Sequence, residues 1–214
     1  MKKKKIMIVF GTRPEAIKLA PVILKLRKYR SKVKPVIVAT AQHREMLDQV
    51  LKIFKLKPDH DLNIMKSNQS LFDIASNALI KFEKILKKVN PDIVIVQGDT
   101  TTSFIAGFAA YFLKIPIGHV EAGLRTYDKY HPFPEEINRR LIGAIADMHF
   151  APTRTSFRNL IKENVKKNNI YITGNTVIDA LLMIVKKAKN FKTLKDKASI
   201  KEIKAIDFSK RIIL

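Results

Sequence analysis

Four short stretches of this chain carry residues able to move protons or hold anions, three of them directly after apolar runs. Gln97-Gly98-Asp99-Thr100-Thr101-Thr102 and Gly118-His119-Val120-Glu121-Ala122-Gly123 each carry one carboxylate at such a point. Tyr130-His131-Pro132-Phe133-Pro134-Glu135-Glu136 ends in two more, with Arg139 and Arg140 close behind. Gly11-Thr12-Arg13-Pro14-Glu15-Ala16-Ile17-Lys18 adds a guanidinium and an ammonium. Carboxylates gathered over one crevice push at least one pKa upward, which suits acid/base work. Pro14 suits a first helical turn, whose free backbone N–H groups bind anions, and Arg13 offers a planar fork for phosphate or carboxylate. Lys18, about one helical turn on, can face the same ligand. The set reads as an acid/base site for an anionic substrate, built on Asp99, Glu121 and a third carboxylate from the Glu135-Glu136 pair. A fifth stretch, Ala41-Gln42-His43-Arg44-Glu45, puts Gln42 and His43 where they could touch that ligand. Each feature also has a purely structural reading. Arg13 can be a surface residue on a turn, Gln42 and His43 a polar cap, Asp99 an N-cap, and Glu135 and Glu136 complements to a helix dipole.

The elements that must position these residues follow from hydropathy. Ile6–Phe10, Val36–Thr40, Asp61–Met65, Asp92–Val96, Ile115–Val120, Met148–Ala151 and Ile170–Ile172 are short apolar runs. They alternate with helical patterns over Glu15–Tyr29, Arg44–Phe54, Ser70–Val89, Thr101–Leu113, Pro134–Ala146, Thr155–Lys162 and Val177–Lys187. Continuous apolar strands alternating with helices mean a parallel sheet covered on both faces. Right-handed crossovers then give an α/β, Rossmann-like doubly wound parallel sheet, whose ligands lie at the carboxyl ends of the strands. The fourth and fifth runs are expected to be near neighbours, which pairs Asp99 with Glu121.

Composition removes several other classes. The chain has 214 residues and no cysteine, which excludes disulfide scaffolds and zinc–thiolate sites. Its five histidines show no close paired spacing, so no metal is expected. Neither G-x-G-x-x-G nor a Walker A sequence occurs, so neither a dinucleotide fingerprint nor a P-loop is supported. No apolar stretch is long enough to span a bilayer, and Met1-Lys2-Lys3-Lys4-Lys5 is followed by too short an apolar run to be a signal peptide. A cytoplasmic protein is expected. The net charge of +22 invites a nucleic-acid reading. The lysines, however, are spread over amphipathic segments such as Lys81-Phe82-Glu83-Lys84-Ile85-Leu86-Lys87-Lys88, as on solvated helix faces. Nucleic acid is therefore not the expected partner, although the positive field favours anionic ligands.

The same stretches carry a resemblance. Gly11-Thr12-Arg13-Pro14-Glu15, Ala41-Gln42-His43-Arg44-Glu45-Met46-Leu47-Asp48, Val96-Gln97-Gly98-Asp99-Thr100-Thr101-Thr102, His119-Val120-Glu121-Ala122-Gly123-Leu124-Arg125, Pro132-Phe133-Pro134-Glu135-Glu136-Ile137-Asn138-Arg139 and Thr173-Gly174-Asn175-Thr176-Val177-Ile178-Asp179 resemble, in order, the non-hydrolysing UDP-N-acetylglucosamine 2-epimerases. The resemblance implies one half of a glycosyltransferase-B-type two-domain fold, with the active site between the domains. It implies interconversion of UDP-GlcNAc and UDP-ManNAc by elimination of UDP to 2-acetamidoglucal and its re-addition, without a cofactor. Asp99, Glu121 and Glu135 match the family's acid/base residues, and Arg13 and Lys18 match positions that contact substrate.

By the same resemblance, residues 1–185 form the N-terminal domain and 186–209 a linker. Residues 210–214, Lys210-Arg211-Ile212-Ile213-Leu214, begin a second domain that in the family holds most uridine and diphosphate contacts. The expected partners are a UDP-sugar and either a second copy of the chain or a separate C-terminal half. The alternatives are an inactive or split-enzyme single domain and a basic nucleic-acid-binding protein. Glu45 and Asn68 differ from the residues of regulated bacterial members, which implies an unregulated relative of archaeal type.

Overall fold

The computed structural model describes residues 3–40, 44–64 and 69–188. Among them, seven parallel strands form one sheet: β1 (Lys4–Phe10), β2 (Val33–Ala39), β3 (His60–Asp61), β4 (Ile93–Gln97), β5 (Ile117–Val120), β6 (Met148–Ala151) and β7 (Ile170–Ile172). They alternate with α1 (Arg13–Arg27), α2 (Arg44–Phe54), α3 (Leu71–Val89), α4 (Thr101–Phe112), α5 (Glu135–Ile145), α6 (Arg154–Lys162) and α7 (Thr176–Ala188). The order across the sheet is β3-β2-β1-β4-β5-β6-β7. The winding reverses between β1 and β4, which opens a crevice at their carboxyl ends. β4 and β5 are direct neighbours, Gln97 lying opposite Val120, as the sequence led us to expect.

The sheet forms because its strands can bury both faces. Ile8, Val9 and Phe10 of β1 and Val94 and Val96 of β4 are buried. Met7, Val9, Val94, Val96 and Ile117 pack against Ala78, Phe82, Ile85 and Leu86 of α3, and against Ile105, Ala106, Ala109 and Ala110 of α4. α1 lays Ala16, Leu19, Ala20 and Ile23 inward and packs on β1 and β2. Ser70 and Asp73 form a capping box that starts α3, and Asn90, at φ 47°, ends it in a left-handed turn.

Strand ends differ from the apolar runs where polar groups extend or interrupt pairing. β1 begins at Lys4 because Asp92 accepts the Lys5 N–H at 2.8 Å and pairs with the Lys4 ammonium at 2.9 Å. β3 is only two residues long because Asn63 turns left-handed at φ 42°. The bonds from Leu62 N to Ala39 O (2.8 Å) and from Ile64 N to Thr40 O (3.0 Å) still keep that segment alongside β2.

Met1–Ala180 is one compact unit and carries the sheet. Leu181–Leu214 is a second, of which the described part is the end of α7. Of the linker expected over 186–209, residues 186–188 are the end of α7; the rest, and the strand expected over 210–214, lie outside the described residues. No helix among the described residues is long and apolar enough to cross a membrane.

Candidate active site

The cleft at the β1/β4 crevice has a volume of about 530 Å³, and its lining includes Thr12, Glu15, Lys18, Asp99, Glu121 and Glu135. Its first wall is the turn from β1 into α1. A Cβ on Gly11 would lie 2.2 Å from Thr40 Oγ1, so any larger residue would force that hydroxyl to move. Thr12 caps α1 and Glu15 completes a capping box, leaving the helix's first turn aimed at the cleft. Arg13 stands exposed between two lining residues, Thr12 and Pro14, and has no hydrogen-bond or ion-pair partner among the described residues. Lys18 reaches across the cleft and places its Nζ 2.5 Å from Glu121 Oε2.

The second wall follows β4. Gly98 adopts φ 70°, a conformation glycine takes without a Cβ penalty, and this turn delivers Asp99. Asp99 Oδ2 pairs with an Arg139 NH2 group at 2.6 Å, and its backbone oxygen accepts a bond from Asn138 Nδ2 at 2.9 Å. Burial raises the Asp99 pKa above the ordinary carboxylate value. Arg139 and Lys18 oppose the rise, while Glu135 and Glu121 add to it. An upward shift was expected for one member of the Asp99/Glu121 pair, but desolvation is its largest cause and like-charge repulsion a smaller one. Beneath the turn, buried His119 lies with Nε2 2.7 Å from Gly98 O. A carbonyl only accepts, so Nε2 carries the proton; burial lowers this imidazole's pKa from 6.5 to about 3 and keeps it neutral.

Glu121 sits just past β5 at φ 65°, a left-handed position costly for a residue with a side chain. Its carboxylate is fully engaged on one side. Oε2 accepts from Lys18 Nζ and Gln97 Nε2, and Oε1 accepts from Asn175 Nδ2 at 2.9 Å. Asn175 lies just past β7 and was not among the expected site residues; the signal for it was only its place after a strand in the Thr173–Asp179 stretch. Glu135 opens α5, lines the cleft and has no hydrogen-bond or ion-pair partner among the described residues.

The neighbouring charges divide. Glu136 is fully buried and accepts the backbone N–H groups of Thr126 (3.1 Å) and Tyr127 (3.2 Å), fixing the loop after β5. Arg140 turns away from the cleft toward Glu163, at 3.9 Å. The structure therefore brings Lys18, Asp99, Glu121 and Glu135 together, with Arg13 exposed alongside. Gln42 and His43 lie outside the described residues. No group of three or more His, Asp or Glu side chains that could hold a metal occurs among the described residues.

A sequence profile described as UDP-N-acetylglucosamine 2-epimerase matches residues 25–209. The UDP-N-acetylglucosamine 2-epimerase of Bacillus subtilis (strain 168) is 59% identical over 181 residues, which are 85% of this chain and 47% of that protein. The crystal structure of UDP-GlcNAc 2-epimerase from Neisseria meningitidis bound to UDP-GlcNAc superposes with a TM-score of 0.84 at 53% identity, covering 88% of this chain and 51% of that one. The Methanocaldococcus jannaschii enzyme in complex with UDP-GlcNAc and UDP also gives 0.84, at 37% identity, covering 94% and 54%. The chain spans about half the length of the curated relatives it matches. The bacterial relatives named here share more identity with this chain than the archaeal one does; Asn68 and the Glu45 side chain, on which the expectation of an unregulated archaeal-type relative rests, lie outside the described residues.

Proposed function

The chain belongs to the UDP-N-acetylglucosamine 2-epimerase family, and we propose that it supplies the acid/base half of a site that interconverts UDP-GlcNAc and UDP-ManNAc. The observation that carries this reading is the meeting of Asp99, Glu121 and Glu135 with Lys18 in one cleft. In the forward step a base takes the C2 proton, the C–H electron pair forms the C1–C2 double bond, and the C1–O bond breaks. UDP leaves as an anion and 2-acetamidoglucal remains. Re-addition of UDP with protonation of the opposite face of C2 gives the epimer.

Two proton carriers on different sides of C2 serve this sequence, and both must exchange protons near neutral pH. Burial raises the Asp99 pKa in that direction, and Glu135 lines the same cleft with no hydrogen-bond or ion-pair partner among the described residues. Glu121, with three donors on its carboxylate, holds Lys18 and the β5 turn in place. Arg13 and Lys18, with Gln42 and His43, contact the anionic part of the substrate. We further propose that a second copy of the chain or a separate C-terminal half completes the cleft with uridine and diphosphate contacts. The reaction is placed in the cytoplasm, which the lack of cysteine supports.

The test is proton NMR of UDP-GlcNAc in D₂O with the 214-residue chain, alone and with the C-terminal half of a relative supplied separately. Deuterium at C2 and the appearance of UDP-ManNAc, both lost in Asp99→Asn, support the reading; no exchange in either mixture overturns it. The net charge of +22 favours a second reading, a nucleic-acid-binding protein. Salt-dependent retention on nucleic acid that ignores UDP-sugars would select it.

A further inference from the structure

We infer that Glu15 is a positioning residue for this cleft, tying the turn that carries Asp99 to the turn that carries Arg13 and Lys18. The inference rests on the acid/base reading of the cleft given above. Glu15 stands at the third position of α1, where a carboxylate ordinarily does no more than complete a capping box. One of its oxygens does that work alone. Oε2 accepts from Gly11 N at 2.7 Å, Thr12 N at 2.7 Å and Thr12 Oγ1 at 3.0 Å. Oε1 has no role in α1. It accepts from Thr100 Oγ1 at 2.7 Å and lies 2.8 Å from Ser103 Oγ, both on the far side of the crevice.

Thr100 is itself the N-cap of α4, its Oγ1 accepting the Ser103 N–H at 3.1 Å. Two helix N-termini, from elements some 85 residues apart in sequence, therefore converge on one carboxylate that is 2% exposed. The positive ends of both helix dipoles favour a negative group there. Ser103 has one hydroxyl hydrogen and a second acceptor, Gln97 O, at 2.9 Å, so Thr100 is the firmer anchor. Among the described residues, the side-chain hydrogen bonds that join these two turns run through Glu15. Thr100 adjoins Asp99, and Thr12 adjoins Arg13, so the link fixes how far the proton carrier stands from the cationic side of the cleft.

A cap and a positioning residue differ in what their loss does to Asp99. The test variant is Thr100→Val, which removes the firmer of the two α4-side bonds together with the α4 cap, and leaves the Ser103 contact and the α1 capping box in place. Thr153→Val is the control. Thr153 caps α6 in the same way, accepting the Ser156 N–H at 3.1 Å, and it does not line the cleft. The readout is the pH titration of the Asp99 side-chain carboxyl carbon by ¹³C NMR, assigned by its disappearance in Asp99→Asn, with a thermal melt of each variant.

Arg139, Glu135, Glu121 and Lys18, the charges that act on Asp99, are unchanged in both variants. A moved midpoint then reports altered burial or placement of Asp99. We expect Thr100→Val to drop the Asp99 midpoint toward the ordinary carboxylate value as water reaches the loosened turn. Thr153→Val should lower the melting temperature and leave that midpoint in place. Glu15→Gln should stay nearer wild type than Thr100→Val. Its amide oxygen can accept from Gly11 and Thr12, and its NH₂ can donate to the two hydroxyls. An Asp99 midpoint unmoved in Thr100→Val, with a fall in melting temperature like that of the control, would reduce Glu15 to a cap and overturn the inference. No UDP-sugar enters this experiment, so a failure of the epimerase reading would show in the C2 exchange assay and not here.

Discussion

Changing the pH tests the burial of His119 quantitatively. This imidazole titrates at about 3 in the folded chain against 6.5 in its ordinary state. Between those values the unfolded chain binds a proton that the folded chain does not, so stability falls as pH falls. The contribution is complete above pH 6.5 and is lost progressively down to about pH 3. At about 1.4 kcal/mol per pH unit, the loss from pH 7 to pH 5 is ~2 kcal/mol. The raised Asp99 works in the opposite sense and the lowered His149 in the same sense, so the wild-type curve alone mixes them.

The comparison is with His119→Gln, whose amide can still donate to Gly98 O but does not titrate. Urea unfolding at pH 7 and pH 5, followed by circular dichroism, should show wild type losing ~2 kcal/mol more than the variant. That corresponds to about 1 M in the urea midpoint for a slope of a few kcal/mol per molar. Equal losses in the two proteins would mean that His119 is hydrated or charged in the folded state, and the account of the Gly98 turn would fail.

Two further substitutions probe the fold and the cleft separately. Gly123→Ala forces a Cβ to within 2.3 Å of Ser156 O at a backbone φ of 87°; chemical denaturation should show a loss of more than about 2 kcal/mol, and a near-neutral result would contradict the packing of the β5 loop on α6. Lys18→Met removes the ammonium but leaves Glu121 bonded to Gln97 and Asn175. Calorimetry should show UDP-GlcNAc binding weakened roughly 10- to 100-fold, the loss expected for one charge-assisted hydrogen bond, and unchanged affinity would remove Lys18 from the site.

Much of the architecture could be read from the alternation of apolar runs with helical patterns, because strands buried on both faces leave few other arrangements. The neighbouring of Asp99 and Glu121 followed from that reading. The division of labour on α5 is also a matter of period: consecutive helical residues point about 100° apart, whereas residues four apart share a side. Glu135 therefore lines the cleft and Arg139 reaches Asp99, while Glu136 and Arg140 point to the β5 loop and to Glu163. What the sequence could not show was pairing across the crevice. Glu15 looks like a local cap, and nothing nearby in sequence marks Thr100 as its second partner. Asn175 reaches Glu121 across one intervening strand, β6, a contact set by the sheet order and not by any motif. The cause of the Asp99 shift was likewise hidden, since desolvation depends on what finally surrounds a carboxyl group.

The central claim is that the β1/β4 crevice of this chain is where a UDP-sugar meets its acid/base residues. The most direct measurement is a ¹⁵N–¹H correlation spectrum of the chain titrated with UDP-GlcNAc. The account predicts shifts concentrated in Gly11–Lys18, Gly98–Thr102 and Glu121–Gly123, and weakened by Lys18→Met. Shifts clustered elsewhere on the sheet, or a spectrum unchanged at millimolar ligand, would contradict it.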